Sequence, residues 1–275
     1  MASSLLCSSL TFIGGGQMAE ALIQGILAAG LLPADRILVV DPAPERRQLL
    51  AERFGVRVFT EAAGAPAASP VCILAVKPQV MGPVLTGLAR SLSSDRLVIS
   101  IAAGVSIRFI EEGLAPLSPR VIRVMPNTPA LVGAGAAALA GSASAGEADL
   151  DLALSLFQAV GEAVIVSEKD LDAVTGLSGS GPAYVFSFVE ALVDAGVAAG
   201  LARPTAERLA VQTVLGSARL LQERGEHPAV LRAMVTSPGG TTIAGLHVLA
   251  RAGFQGVVMD AVLAATRRSQ ELGQE

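Results

Sequence analysis

Thr11-Phe12-Ile13-Gly14-Gly15-Gly16-Gln17-Met18-Ala19 is the stretch on which the fold turns. An apolar, strand-like run ends in a G-x-G-x-x-A turn, and a helical pattern, Met18–Ala29, follows at once. In such a turn the first glycine permits the tight bend and the second lets the backbone approach a pyrophosphate. The small third residue lets the helix pack closely on the strand. The helix N-terminus, with its free N–H groups and dipole, then faces the phosphates. The bare motif is weak. Here it stands at the first strand–helix junction, and Asp41 closes the next strand 22 residues after Ala19, as in a dinucleotide-binding unit.

Outward from this turn, short β-branched runs alternate with helical patterns. The strands expected are Ser9–Ile13, Arg36–Asp41, Val56–Phe59, Val71–Val76, Leu97–Ile101, Arg120–Val124, Ala134–Leu139 and Ala163–Val166. Several are apolar throughout, as strands buried on both faces must be. Helical patterns at Pro44–Arg53, Pro78–Ser91 and Glu147–Ala159 complete the alternation, which predicts a Rossmann-type α/β domain: a parallel, doubly wound sheet over residues 1–166. Beyond Ser167 no strand pattern remains. Helices are expected over Pro182–Ala199, Pro204–Arg224, Thr242–Ala252 and Phe254–Leu272, so residues 167–275 read as a second, all-α domain. Leu209, Val211, Val214, Leu215, Ala218, Leu220 and Leu221 spread around most of the Pro204–Arg224 helix. A helix apolar on most sides needs burial on most sides. About 105 residues offer few partners for that, which predicts a homo-oligomer.

Composition narrows the function classes. Charged residues are only 16% of the 275, consistent with surface covered by another subunit. The net charge of -4, with no basic run, argues against nucleic acid as a partner. Cys7 and Cys72 give no disulfide framework, which suits a reducing cytoplasm. Met1–Leu10 lacks a basic start and reads as a short tail running into the first strand. Charges such as Glu190 and Asp194 interrupt the apolar helices, so no membrane span is expected. His227 and His247 match no metal-ligand spacing, and no metal is expected.

Four further positions carry the cofactor reading. An acid at Asp41 usually holds the adenosine ribose and repels a 2′-phosphate, which leans the choice towards NADH. Arg46 and Arg47, close behind it, could instead receive that phosphate of NADPH, and a strand-ending Asp before Pro42 could simply shape a turn. Lys77, in Ala75-Val76-Lys77-Pro78, ends the fourth strand where ligands of doubly wound sheets bind, and is one of only two lysines against 18 arginines. Asn127, in the rigid Met125-Pro126-Asn127-Thr128-Pro129 loop, suits either the nicotinamide side of the cofactor or its own turn.

Two Gly/Ser/Thr-rich segments break the helical half, Ser178–Pro182 and Thr236–Thr242. Each offers hydroxyls and backbone N–H groups at a helix start, a ready anion site, although capping alone explains one such segment. The second reads as a seat for a small carboxylate. The helical half carries no lysine after Lys169, so no helix-borne lysine is available as an acid. Hydride addition to an already protonated imine, with positioning as the main device, fits that inventory.

At this point the sequence resembles a known family. Phe12–Leu22, Ala75–Gln79, Met125–Ala130, Thr175–Tyr184 and above all Val230–Leu249, with its Thr-Ser-Pro-Gly-Gly-x-Thr core, are similar to pyrroline-5-carboxylate reductases, in the same order along nearly the whole chain. The resemblance implies a Rossmann domain followed by a helical dimerisation domain, dimers that often build decamers, and reduction of 1-pyrroline-5-carboxylate to L-proline by NADPH or NADH. By position it implies that Ser237, Gly240, Thr241 and Thr242 hold the substrate, with Thr242 near the ring nitrogen and Glu168 as a nearby acid. It implies that Gly14, Gly16, Gln17, Met18, Ala75, Lys77 and Ala102 line the cofactor. Lys77 and Thr242 are thus the side chains expected closest to the chemistry. The sequence departs from the family at Thr60-Glu61-Ala62, where many members place an Asn, and at Asp41, where others have Ser; both bear on cofactor preference. Two competing readings are a β-hydroxyacid dehydrogenase-like reductase, which would need the missing helix-borne lysine, and a redox sensor that binds cofactor without turnover.

Overall fold

A computed structural model describes residues 7–273; the expected tail over residues 1–6 lies outside them. All eight expected strands form: β1 (Leu10–Ile13), β2 (Ile37–Val40), β3 (Arg57–Phe59), β4 (Val71–Leu74), β5 (Leu97–Ser100), β6 (Arg120–Met125), β7 (Gly135–Gly141) and β8 (Gly161–Ile165). They make one sheet of order β3-β2-β1-β4-β5-β6-β7-β8. The chain winds one way from β1 to β3 and the other way from β4, so β1 and β4 flank the point where the topology switches.

The sheet is not parallel throughout, a correction to the expectation. β7 runs antiparallel to β6, and β8 is parallel to β7. The reason is reach. Only nine residues, 126–134, separate β6 from β7, and they hold no more than a 3₁₀ turn, Thr128–Val132. A parallel crossover needs a dozen or more residues.

Alternation along each strand builds two cores. Leu10, Phe12, Ile73, Leu97 and Ile99 pack on one face with α1 (Gln17–Ala28) and α6 (Glu147–Gln158). Ile13, Cys72, Leu74 and Val98 pack on the other with α4 (Met81–Leu88) and α5 (Ile107–Gly113). Fully burying one such aliphatic side chain contributes roughly 1.5–3 kcal/mol. The sheet helices α2 (Pro44–Phe54) and the short α3 (Ala65–Ala68) and α7 (Leu171–Val174) complete this half.

By its contacts the chain divides into unit 1, Met1–Ser180 with Ala264–Glu275, and unit 2, Gly181–Leu263. Unit 1 therefore holds the sheet and the end of the last helix. Ser269, buried there, donates from Oγ to Asp172 Oδ1 at 2.6 Å, and Leu272 lies against Gly104. Unit 2 contains α8 (Gly181–Ala198), α9 (Arg203–Arg224), α10 (Pro228–Met234), α11 (Thr241–Arg251) and the first half of α12 (Phe254–Leu272), up to Leu263. Pro204 stands in the first turn of α9, and Gly225, left-handed with φ 62°, ends it.

Among the described residues of unit 2, only Val193, Ala206, Ala210 and Leu231 are buried. Val193, Ala206 and Ala210 join α8 to α9, while Leu209 and Val211 are each 55% exposed. The burial that α9 demands is not supplied by the described residues. The apolar character has a second consequence, which bears on the membrane expectation without overturning it. The helical stretch Glu168–Ala198, 31 residues long, is apolar and long enough by composition to cross a membrane, despite Glu190 and Asp194. Thr241–Arg251 and Phe254–Leu272 qualify only as a pair bent by 52°.

Candidate functional site

The first site element is built where β1 and β4 end. Gly14 takes φ 101°, a left-handed conformation that only glycine adopts readily, and a Cβ there would stand 2.6 Å from the Ala75 carbonyl oxygen. The bend is tied to both neighbouring strands: Gly14 N–H donates to Val40 O and Ala75 N–H to Ile13 O, each at 2.8 Å. Gly16 caps α1 without a side chain, so the first N–H groups of the helix stay free, and nothing lies within 4 Å of where its Cβ would be.

Above this turn opens a cavity of about 1070 Å³. Gly14, Gly16, Asp41, Ala75 and Lys77 all line it, as do Arg46, Thr60, Glu61 and Ala62. Its size, its place at the switch point and the open backbone at Gly16 fit a nicotinamide dinucleotide. Of the other expected cofactor residues, Gln17 is exposed in the first turn of α1, and Met18 is half-buried against the first core. Ala102 is buried in the second core. None of these three side chains lines the cavity.

Asp41 and Asn127 are both tied down. The Asp41 carboxylate accepts from Gly15 N–H at 2.7 Å through Oδ2 and from Ala43 N–H at 2.8 Å through Oδ1. Arg46 donates from Nε to Gly15 O at 2.7 Å and from Nη2 to Glu20 Oε2 at 2.7 Å; Arg47 donates to the carbonyls of Asp41 and Pro42. Asn127 does not bond its own turn. Its Nδ2 donates to Ser178 O at 3.0 Å and its Oδ1 accepts from Ala136 N–H at 2.8 Å. Ser178 belongs to a π-helical turn, Thr175–Gly179, that the sequence did not announce. A Cβ at the conspicuous glycine there, Gly179, would stand 2.5 Å from Met125 Cε, the movable end of that side chain.

Glu168 also lies in unit 1. Its Oε1 accepts from Ile107 N–H at 2.7 Å and faces the buried Arg123 guanidinium at 3.4 Å, beside a hollow of about 510 Å³ that Ser106, Lys169 and Asp172 share.

The second site element is in unit 2. Ser237-Pro238-Gly239-Gly240 forms a turn in which Gly240 N–H donates to Ser237 O at 3.1 Å, with Gly239 at φ 65°. Pro at the second position and a left-handed glycine at the third are what that turn requires. Gly240 then caps α11, again without a side-chain cap. Ser237 Oγ occupies the space beside it, 2.3 Å from where a Gly240 Cβ would stand. Thr241 and Thr242 open the helix, Thr242 half-buried and Thr241 exposed. No hydrogen bond among the described residues engages the hydroxyls of Ser237, Thr241 or Thr242. A groove of about 980 Å³, mostly apolar, lies in the same unit between Arg232, Thr236, Ile243, His247 and Phe254. Among the described residues no group of three or more His, Cys, Asp or Glu is placed to hold a metal ion.

Comparison with known proteins matches the two parts of the chain to different family descriptions. Residues 9–104 match the family described as NADP oxidoreductase, coenzyme F420-dependent, and residues 168–272 match pyrroline-5-carboxylate reductase dimerisation. The pyrroline-5-carboxylate reductase of Synechocystis is 49% identical over 266 residues, 97% of this chain and 98% of that one. The Arabidopsis thaliana enzyme of the same name is 47% identical over 263 residues, 96% of this chain and 95% of that one. Among solved structures, the pyrroline-5-carboxylate reductase of Coxiella burnetii superposes with a TM-score of 0.91 at 39% identity, covering 97% of this chain and 98% of that chain. The Plasmodium falciparum pyrroline carboxylate reductase, solved with NADP bound, gives 0.86 at 32% identity over 98% and 100% of the two chains. Identity at this level over 96–97% of the chain shows the family: the chain belongs to the pyrroline-5-carboxylate reductase family.

Proposed function

We propose that this chain reduces 1-pyrroline-5-carboxylate to L-proline with NADPH or NADH, the last step of proline synthesis. The observation that carries the reading is the turn at Ser237–Thr242, whose three hydroxyls are unengaged at a capless helix start, in a chain aligned throughout with reductases of that name.

In this reading the cofactor, when bound along Gly14, Gly16 and the α1 N-terminus, supplies the hydride. Ser237, Gly240 and Thr241 hold the substrate carboxylate, where hydrogen bonds to a charged group contribute about 1.5–3 kcal/mol each. The Thr242 hydroxyl oxygen accepts from the iminium N–H and orients the C=N bond. Hydride adds to the carbon, the π electrons pass to nitrogen, and the iminium proton already there becomes the amine N–H. No strong side-chain acid is needed, in keeping with the absence of lysine after Lys169. Lys77, on the cavity rim, supplies a fixed positive charge to the cofactor side, with Ala75 and Asp41 beside it. Gln17 and Met18 contribute through their backbone N–H groups, while Asn127, Ala102 and Glu168 shape the surrounding loops rather than touch the reacting atoms.

We assign residues 167–275 to dimerisation and substrate binding. A second copy is the natural cover for exposed apolar residues such as Leu209, Val211 and Phe254, and burial between copies accounts for the membrane-like composition of Glu168–Ala198. Further assembly to a decamer and a cytoplasmic location complete the proposal. The test is a steady-state assay with synthetic pyrroline-5-carboxylate and each cofactor: imine-dependent oxidation of NADPH or NADH is expected, whereas cofactor binding without turnover would favour the sensor reading.

A further inference from the structure

The cofactor turn carries one glycine more than its motif asks for. In Gly14-Gly15-Gly16 the middle position is the free x of G-x-G, and Gly15 does not take a positive φ, so its backbone conformation admits any residue. A side chain there is crowded for space, with the movable end of Leu50 as the nearest neighbour. A Cβ at Gly15 would lie 2.9 Å from Leu50 Cδ1, 3.3 Å from Asp41 Oδ2 and 3.3 Å from Val39 Cγ1. The bare middle position is what lets the Asp41 carboxylate reach Gly15 N–H at 2.7 Å.

That contact is one end of a chain of bonds. Asp41 holds Gly15 by its N–H and Ala43 by its N–H. Arg46 holds Gly15 by its carbonyl oxygen and is itself held by Glu20 of α1, which also takes Arg53. The groups at both ends of Gly15 are thus gripped by charged side chains, Asp41 just after β2 and Arg46 in the first turn of α2. Both carboxylate oxygens of Asp41 already serve backbone donors. Charge-assisted bonds of this kind are short and strong, and they fix the turn before any ligand arrives. A turn that is already in its binding conformation loses less freedom on binding, so affinity rises without a new contact to the ligand.

We propose that Asp41 is a positioning residue for the dinucleotide turn, acting through Gly15 with Arg46 on the opposite side, and that it does not select between NADH and NADPH. The inference rests on the reading of this cavity as the cofactor site. It replaces the usual role of an acid at the end of the second strand, which is to read the ribose hydroxyls. A latch on the turn serves the pyrophosphate, which both cofactors share, so its loss falls on both alike.

The test measures equilibrium Kd for NADH and for NADPH, by nucleotide fluorescence, on the full chain and two variants. Asp41→Ser removes the latch, and Gly15→Ala pushes it away while leaving the acid in place. Each is expected to raise both Kd values about 5- to 30-fold, with the NADH/NADPH ratio within about threefold of wild type, and the double variant is expected to be no weaker than about twofold beyond the worse single, because both changes break one contact. A ratio that moves beyond threefold in favour of NADPH in Asp41→Ser would make Asp41 a ribose reader and overturn the proposal, as would unchanged Kd values or fully multiplicative losses. If Asp41→Ser fails to fold, Asp41→Asn takes its place: it keeps the shape and one acceptor but presents an amide donor to a backbone N–H, and the same ratio decides. Binding is read without turnover. A wild-type chain that binds both nucleotides yet never reduces the imine would remove the proposed function and leave the latch standing.

Discussion

Asn127 and Ser178, 51 residues apart, are joined by a hydrogen bond of 3.0 Å from the amide Nδ2 to the carbonyl oxygen. The same side chain accepts from Ala136 N–H, so one residue ties the loop after β6 to the π-helical turn and to the start of β7. A π turn leaves its carbonyls poorly matched to the helical ladder, and an outside donor stabilises it.

Asn127→Ala removes both bonds. Each is worth about 0.5–1.5 kcal/mol net, so the melting temperature should fall by roughly 2–8 °C in calorimetry. No change would show that the bridge contributes nothing to stability.

Thr242→Ala and Thr242→Val should each lower kcat/KM for pyrroline-5-carboxylate about 10–100-fold, the range for one hydrogen bond worth about 1.4–2.7 kcal/mol in the transition state. Cofactor Kd should hold, because the turn at β1 is built from other residues. Wild-type kcat/KM in both variants would reduce the role of this segment to its backbone.

Gly240→Ala addresses the same turn through space alone. The backbone there, φ -78°, accepts alanine, but the new Cβ would stand 2.3 Å from Ser237 Oγ, so the serine hydroxyl must swing away. The KM for the imine should rise about tenfold with a smaller effect on kcat. A KM equal to wild type would mean that the Ser237 hydroxyl does not hold the carboxylate.

Thiol chemistry gives a pH prediction with a definite sign. Burial pushes Cys72 up to about 12 and Cys7 up to about 11, against about 8.5 for an exposed thiol. In the folded chain both should resist a thiol reagent at pH 8, and both should react once denaturant is added. Because the unfolded thiols ionise first, the stability they contribute is complete below about pH 8.5 and declines as pH rises through the folded values. A denaturation midpoint that climbs between pH 9 and 11 would contradict this.

The exposed apolar face of unit 2 predicts that the chain is not found as a monomer. Light scattering at micromolar concentration should never give the 27.8 kDa of one chain. A species of that mass would show that the face is tolerated in water.

The sheet was legible because its strands are buried on both faces and therefore largely apolar, as Val71–Leu74 and Leu97–Ser100 illustrate. The direction of β7 was not, since strand pattern carries no polarity; the nine-residue connection before it was the available clue. The glycine turn announced itself through φ requirements that only glycine meets. Asp41 and Asn127 were recognised as special, but their partners, Gly15 and Ser178, lie 26 and 51 residues away, and nothing local in the sequence names a distant backbone group. The same holds for the end of α12, whose amphipathic pattern says that it packs but not that it packs in unit 1.

That last helix end sets an order of events during synthesis. Residues 264–275 complete a unit whose sheet is made first, and the 83 residues of Gly181–Leu263 are emitted in between. Ser269 can reach Asp172 only after those 83 residues have been made. Until then the surface of unit 1 beside Gly104, against which Leu272 lies, is uncovered. Closing a loop of that length adds little entropic penalty over a shorter one, because the penalty grows only with the logarithm of length. Completion of unit 1 thus waits on the synthesis of Gly181–Leu263: a chain stopped before Ala264 would carry every sheet strand and still leave the surface at Asp172 and Gly104 uncovered.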